Sequence, residues 1–196
     1  MTNPDGLIYA VHAAFWAAFA LVALVRRGAA GGPPAASANV TRSAPFSRAA
    51  LSLHALAFVV LYWGLGRAIL PGRVPHWLPG QQILGTVVMV AGAALACWAL
   101  VSFHSWRLRA KVDVGHQLAT GGPFHWLRHP IYLALDLFAL GSALWVPTPA
   151  VWIGVLLMVA GGEWRARIEE RLLADTFGAA YTSYCARTAR FVPGVY

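Results

Sequence analysis

The chain has 196 residues, 59% of them hydrophobic and only 11% charged, with a formal net charge of +8. A soluble domain carries about 25% charged residues, so this composition excludes a globule surrounded by water. It predicts an all-α integral membrane protein with about five spans of roughly 20 residues each. No length remains for a soluble catalytic domain, so any active site must be built by the spans and their loops.

The first predicted span covers residues 7–25, apolar around His12 and Trp16. A cleaved signal sequence competes with this reading, because Ala35-Ala-Ser-Ala38 resembles a small-residue cleavage site. Signal sequences carry positive charge ahead of the apolar core, whereas here Asp5 precedes it and Arg26 and Arg27 follow, which favours a retained span. Residues 28–47 are rich in Ala, Gly, Pro and Ser and read as a flexible loop. The second span covers 49–70, and Pro71, Pro75 and Pro79 punctuate the turn after it. The third covers 82–103, with Gly85 and Gly92 suited to close helix contact.

The fourth span starts at Pro130, a residue well placed at a helix N-terminus. Trp145-Val-Pro-Thr-Pro149 forms a tight uncharged turn, and a fifth span follows to about 164. Beyond it, residues 168–188 carry Ile168, Leu172, Phe177, Tyr181 and Tyr184 near helical spacing, with Gly178 weakening the middle. That segment reads as an amphipathic helix on the membrane or as a lid over a site. Residues 1–103 are thus a three-helix N-terminal unit, and 104–196 are the unit that holds the polar motifs.

Lysine and arginine set the expected orientation. Thirteen of them follow spans one, three and five, and only Arg67 and Arg73 fall on the other side. The positive-inside rule then places the N-terminus outside and the C-terminus in the cytoplasm. The Asn39-Val-Thr41 sequon falls on the cytoplasmic side and is discounted. The net charge is mostly this asymmetry; it suits anionic headgroups and requires no nucleic acid. Cys97 and Cys185 match no disulfide or metal spacing and read as free thiols.

Two polar clusters bracket the last hairpin. One is the run Thr120-Gly-Gly-Pro-Phe-His-Trp-Leu-Arg-His-Pro-Ile-Tyr132, and the other holds Arg165, Arg167, Glu169, Glu170 and Arg171. Ionisable groups at a membrane boundary are costly unless they serve a function. The stretch from Gly115 to Tyr132 resembles the isoprenylcysteine carboxyl methyltransferase family. So does Glu169-Glu-Arg-Leu-Leu, with Phe177-Gly178, Tyr181 and Tyr184 after it and Arg-Phe-Val-Pro-Gly-Val-Tyr196 at the end. The wider superfamily includes bacterial phospholipid N-methyltransferases, and the resemblance covers about 102–196.

The resemblance implies a membrane methyltransferase that uses S-adenosylmethionine. Carried over residue by residue, it implies cofactor contacts from His116, Leu118, Gly122, Pro123, His129, Tyr132, Glu169 and Glu170. Arg128 would order the loop or meet the cofactor's carboxylate, and Tyr132 would share in catalysis. One departure stands out: Ala134 occupies a position where the family usually has glycine.

Histidines 125 and 129 are four apart, but Pro130 pushes His129 out of helical geometry. With no further ligand set, no metal is expected. An acid inside a span needs a partner or a purpose. Asp136 would therefore either meet an acceptor in the pocket or hydrogen-bond Ser142, a tryptophan or the backbone. Glu163 is expected to pair with Arg167 four residues on. Tyr181, Tyr184 and Arg187 are pocket residues or interfacial anchors.

The expected activity is methyl transfer to a lipophilic small molecule or lipid. A prenylcysteine carboxylate, a lipid amine and a hydrophobic thiol are all admissible acceptors. The Ala/Arg/Gly-rich composition points to a bacterial inner membrane, with the site facing the cytoplasm. A nicotinamide-dependent membrane reductase related to sterol reductases and a non-catalytic scaffold are the rival readings.

Overall fold

The computed structural model describes residues 4–29, 42–43, 46–70, 72–75, 78–102, 111–112 and 118–194. His116, Arg107, Arg109, the sequon at Asn39 and the Ala35-Ala-Ser-Ala38 run lie outside the described residues. The fold is helical: α1 (Pro4–Ala29), α2 (Ser47–Ile69), α3 (Gln81–Ser102), α4 (Pro130–Trp145), α5 (Pro149–Phe177) and α6 (Ala179–Cys185), with a 3-10 turn at Gly122–His125. Two minimal strands, β1 (Arg42–Ser43) and β2 (Lys111–Val112), pair antiparallel.

Helix starts follow the local chemistry. Pro130 and Pro149 occupy the first turns of α4 and α5, where the missing N–H would have no intrahelical partner anyway. The Thr148 hydroxyl caps α5 by accepting from Val151 N at 3.4 Å. Gln81 closes the turn before α3, accepting from Leu78 N at 3.0 Å and donating to Pro75 O at 2.9 Å.

The fifth helix departs from expectation. It does not stop near 164 but continues unbroken to Phe177, so 168–177 is not a separate tail helix. Between Trp164 and Phe177 the chain holds mostly Arg, Glu, Leu and Ala, all good helix formers. Gly178, at φ +52°, makes the break that begins α6, a conformation glycine adopts without steric cost. At 29 residues, α5 is roughly 44 Å long, more than a hydrocarbon core of about 30 Å. Its charged second half is thus a rigid extension of its apolar first half.

Close helix contacts are made at small residues. A Cβ on Gly85 would lie 2.7 Å from Gly141 O, and one on Gly141 would lie 2.6 Å from Gly85 O. One turn pair along, a Cβ on Gly92 would lie 2.7 Å from Ala134 O. Ala134 is fully buried in the apolar core at that crossing, so its extra methyl group sits among the packed helices rather than in the polar cluster. On the other side, α2 and α5 meet where a Cβ on Gly154 would reach Leu61 Cα at 2.9 Å.

The core carries a stacked Phe15–Phe138 pair at 4.1 Å and one buried polar network. The Ser142 hydroxyl lies 3.1 Å from His12 Nε2, and His12 Nδ1 lies 2.9 Å from the Tyr62 hydroxyl, which also accepts from Trp16 Nε1 at 2.5 Å. Outward faces are apolar instead of charged: Val59, Ile83 and Leu156 are all more than half exposed. Helices α2 and α3 are each long and apolar enough to cross a bilayer; α4 and the apolar stretch Gly6–Val22 of α1 are shorter.

Candidate functional site

The loop before α4 and the C-terminal tail are tied by backbone pairing. Ala189 N donates to Trp126 O at 3.0 Å, Arg128 N to Ala189 O at 2.8 Å, and His129 N to Arg190 O at 3.2 Å. The Tyr184 hydroxyl on α6 adds a bond to Phe124 O at 2.7 Å. Tyr181 and Tyr184 are both buried, so α6 packs onto the loop with its aromatic side. Gly122, at φ +60°, and the buried Pro123 seat the 3-10 turn against the end of α3, where a side chain on Gly122 would strike Ser102. Leu118 is half-buried just ahead of that turn.

This scaffold brings Arg128, His129, Tyr132, Glu169 and Glu170 together. Arg128 Nε donates to Glu170 Oε1 at 2.9 Å, and its Nη1 donates to Cys185 O at 3.2 Å and to Thr188 O. Its Nε and Nη1 are thus engaged by protein, which ties the loop to the C-terminal segment. Arg190 forks onto Glu170 as well, at 3.0 and 2.6 Å, and reaches Glu163 at 3.0 Å. Glu163 also accepts from Arg167, the pairing the sequence spacing predicts.

The two glutamates are not equivalent. Glu170 is held by two arginines and lies 3.3 Å from His129 Nε2. Glu169 accepts from the Tyr132 hydroxyl and is the more open carboxylate, with its side chain 23% exposed against 15% for Glu170. His129 lies between them, its Nδ1 3.7 Å from Glu169 and its ring stacked on Tyr132 at 5.6 Å. Arg165 covers the Tyr132 ring at 4.9 Å. His125 is exposed and turned against Trp126, away from this cluster.

Burial alone would raise the Glu170 carboxyl, but hydrogen bonds from His129, Arg190 and Arg128 prevail and hold it well below its ordinary 4.5. A carboxyl lowered on folding stabilises the fold above the unfolded value and loses that contribution as pH falls toward the folded value. The docked tail should therefore contribute fully to stability above pH 4.5 and progressively less below it. Thermal midpoints of the detergent-purified protein, titrated downward beside Glu170→Gln, check this. Parallel acid loss in both proteins would contradict it.

Asp136 lies one turn along α4 from Tyr132 and lines a groove of about 590 Å³ between α4 and α5. Leu133, Leu137, Val155 and Val159 form much of its wall. The Asp136 Oδ1 atom is buried and has no hydrogen-bond partner. Ser142 is not that partner, since its hydroxyl donates to Phe138 O at 2.8 Å and meets His12. Sequence reasoning passed over His54, which is buried on α2 with both ring nitrogens unpartnered, 5.8 Å from Tyr132. The signal for it was present: a histidine inside an apolar span.

Residues 81–180, half of the chain, match the model of the family described as phospholipid methyltransferase. The protein-S-isoprenylcysteine O-methyltransferase of Saccharomyces cerevisiae is 28% identical over 117 residues, which cover 57% of this chain and 48% of the yeast protein. The Arabidopsis thaliana protein-S-isoprenylcysteine O-methyltransferase B is 26% identical over 133 residues, covering 64% of each chain. This chain thus spans about half to two thirds of the curated relatives it matches. A solved structure of the eukaryotic intramembrane Ras methyltransferase ICMT superposes over the whole of this chain and 69% of its own, with a TM-score of 0.66 and 19% identity. That likeness establishes the fold.

Proposed function

The chain belongs to the phospholipid methyltransferase family, and from that membership and the geometry of its polar cluster we propose that it transfers a methyl group from S-adenosylmethionine to a lipophilic acceptor. In this reading five helices cross the membrane, with the N-terminus outside, and the site faces the cytoplasm of a bacterial inner membrane. The observation that carries the proposal is the open Glu169 carboxylate, held by the Tyr132 hydroxyl beside buried His129, where α4 and α5 leave the apolar bundle.

The donor set fits the cofactor. Glu169 suits ribose hydroxyls or a cationic amine, because a charged acceptor makes strong hydrogen bonds to either. His129 lies between the two carboxylates, its Nε2 3.3 Å from Glu170 and its Nδ1 3.7 Å from Glu169, where it would orient both toward a bound cofactor. When bound, S-adenosylmethionine supplies a methyl group already activated on a sulfonium. The protein has chiefly to position the reactants and exclude water. Tyr132 fixes the Glu169 carboxylate, Arg128 and Arg190 lock loop to tail through Glu170, and α6 closes over the loop. Leu118, Gly122 and Pro123 shape the approach, and His116 belongs to the same segment.

Calorimetry with S-adenosylhomocysteine and, separately, NADPH tests the reading. Micromolar binding of the thioether is expected. It should weaken about 10- to 100-fold in Glu169→Ala, the cost of one or two hydrogen bonds to a charged group. Binding of NADPH alone would replace this reading with a reductase, and binding of neither would leave a scaffold.

A further inference from the structure

We propose that His54, on α2, is a further contact for the cofactor and that it takes a ribose hydroxyl. This rests on the methyl-transfer reading above and extends the site into the N-terminal half of the chain. The family match begins at residue 81 and the motif resemblance at about 102, so neither gives His54 a role.

His54 is 3% exposed, and neither of its ring nitrogens has a hydrogen-bond partner among the described residues. A neutral imidazole carries one N–H donor and one acceptor nitrogen. Leaving both unmet between helices costs the desolvation of each, and native folds seldom keep such groups without a purpose. The surroundings of His54 join it to the candidate site. Its ring lies 5.8 Å from that of Tyr132 and stacks on Phe58 at 6.1 Å. Tyr132 in turn stacks on His129, carries Arg165 over its ring at 4.9 Å and donates its hydroxyl to Glu169. The Tyr132 side chain thus stands between His54 and Glu169.

Two adjacent glycines on α5 leave room there. A Cβ on Gly161 would lie 3.4 Å from His54 Cα and 3.5 Å from His54 Cγ, and one on Gly162 would lie 3.5 Å from Tyr132 Cβ. These are ordinary contact distances, so helix packing does not require glycine at either position. At Gly154, earlier on the same helix, it does, since a Cβ would come within 2.9 Å of Leu61 Cα. The strip left beside His54 and Tyr132 admits a small polar group, not a purine.

Chemistry then selects the group. The cofactor offers a carboxylate, a cationic amine, a purine and ribose hydroxyls. Glu169, the more open carboxylate, suits the amine. A charged group carried down beside Phe58 would lose more hydration than an imidazole returns. A hydroxyl costs less to bury, and it both donates and accepts, so it can meet His54 in either tautomer. Ribose and amine are separated along the cofactor, as His54 and Glu169 are separated by Tyr132.

The test is calorimetry of the full chain in detergent with S-adenosylhomocysteine and with its 2′-deoxyribosyl and 3′-deoxyribosyl analogues, beside the unliganded thermal midpoint. His54→Phe keeps an aromatic ring and removes both nitrogens. Its midpoint should equal or exceed that of the unaltered protein, because unpaired buried polar atoms are gone. Its S-adenosylhomocysteine affinity should fall about 10-fold, as for loss of one hydrogen bond. The analogue that lacks the contacted hydroxyl should bind both proteins equally, while the other analogue shows the full loss; such a cycle isolates the pair. His54→Gln, which keeps a donor and an acceptor, should recover part of the affinity. Unchanged thioether affinity in His54→Phe would overturn the assignment. So would equal loss for all three ligands, with or without a lowered midpoint, which marks a histidine that acts on the fold of the pocket. No thioether binding by the unaltered protein would instead overturn the methyl-transfer reading, and this contact with it.

Discussion

Gly141→Val should prevent the chain from assembling its helix bundle. A Cβ at this position would lie 2.6 Å from both Gly85 O and Met89 Cγ, and 2.7 Å from Met89 N. Two of those atoms are backbone, so no rotamer change relieves the clash, and α3 and α4 must separate. Overpacking costs about 1–3 kcal/mol even where side chains can shift, and more is expected here. In lipid the loss is harder to offset, because helix association relies on close packing and not on a hydrophobic drive. Separation would also detach Gly92 from Ala134, next along the same crossing. The expected result is little or no monodisperse protein by size exclusion, and Gly141→Ala, which carries the same Cβ, should show the defect in milder form. Gly121→Ala is the control: at φ −94° and with nothing within 4 Å of its added carbon, it should match the unaltered protein. A wild-type thermal midpoint in Gly141→Val would refute the crossing as described.

Arg128→Ala is expected to weaken cofactor binding strongly for a different reason. One guanidinium holds Glu170 on α5 and the carbonyls of Cys185 and Thr188 on the tail, so its loss releases three groups at once. Arg128 is only 14% exposed at its side chain. Removing one partner of a largely buried pair costs about 3–5 kcal/mol. Arg190 still reaches Glu170, which places the effect toward the lower end. Amide exchange at Ala189 and Arg190 should accelerate, and S-adenosylhomocysteine affinity should drop by about 100-fold or more, the equivalent of roughly 3 kcal/mol. Arg128→Lys should fall between, since an ammonium can pair with Glu170 but cannot span both sides as a planar fork does. If tail exchange stays slow in Arg128→Ala, the clamp is not what orders the loop.

Much of the architecture was readable from local patterns. Pro130 and Pro149 mark two helix starts, and the apolar stretches locate α1 to α4 within a few residues. The Gly85 and Gly92 positions announce a close crossing, and the Glu163–Arg167 spacing announces its ion pair. The motif residues Arg128, His129, Tyr132, Glu169 and Glu170 do gather. The end of α5 was misread because the switch from apolar to charged residues marks a change of surroundings, not a helix stop. Gly178, the residue that does break the helix, lies well beyond that switch. His54 went unread because its neighbours Tyr132 and Gly161 come from other helices and lie far off in sequence.

Hydropathy, proline placement and the two motif clusters determined, without coordinates, a helical membrane fold and the side chains that gather into one polar cluster. These signals act over a few residues, so each is complete within its own segment. Tertiary structure alone decided how those side chains divide their roles. It assigned Arg128 and Arg190 to Glu170, gave Glu169 to Tyr132 with Arg165 at 3.8 Å, sent Arg190 back to Glu163, and left the Asp136 Oδ1 unpartnered beside an apolar groove. Such pairings depend on the relative rotation and height of packed helices, set by where Gly85 meets Gly141 and Gly154 meets Leu61. A rotation of one residue about any helix axis would redistribute every one of them.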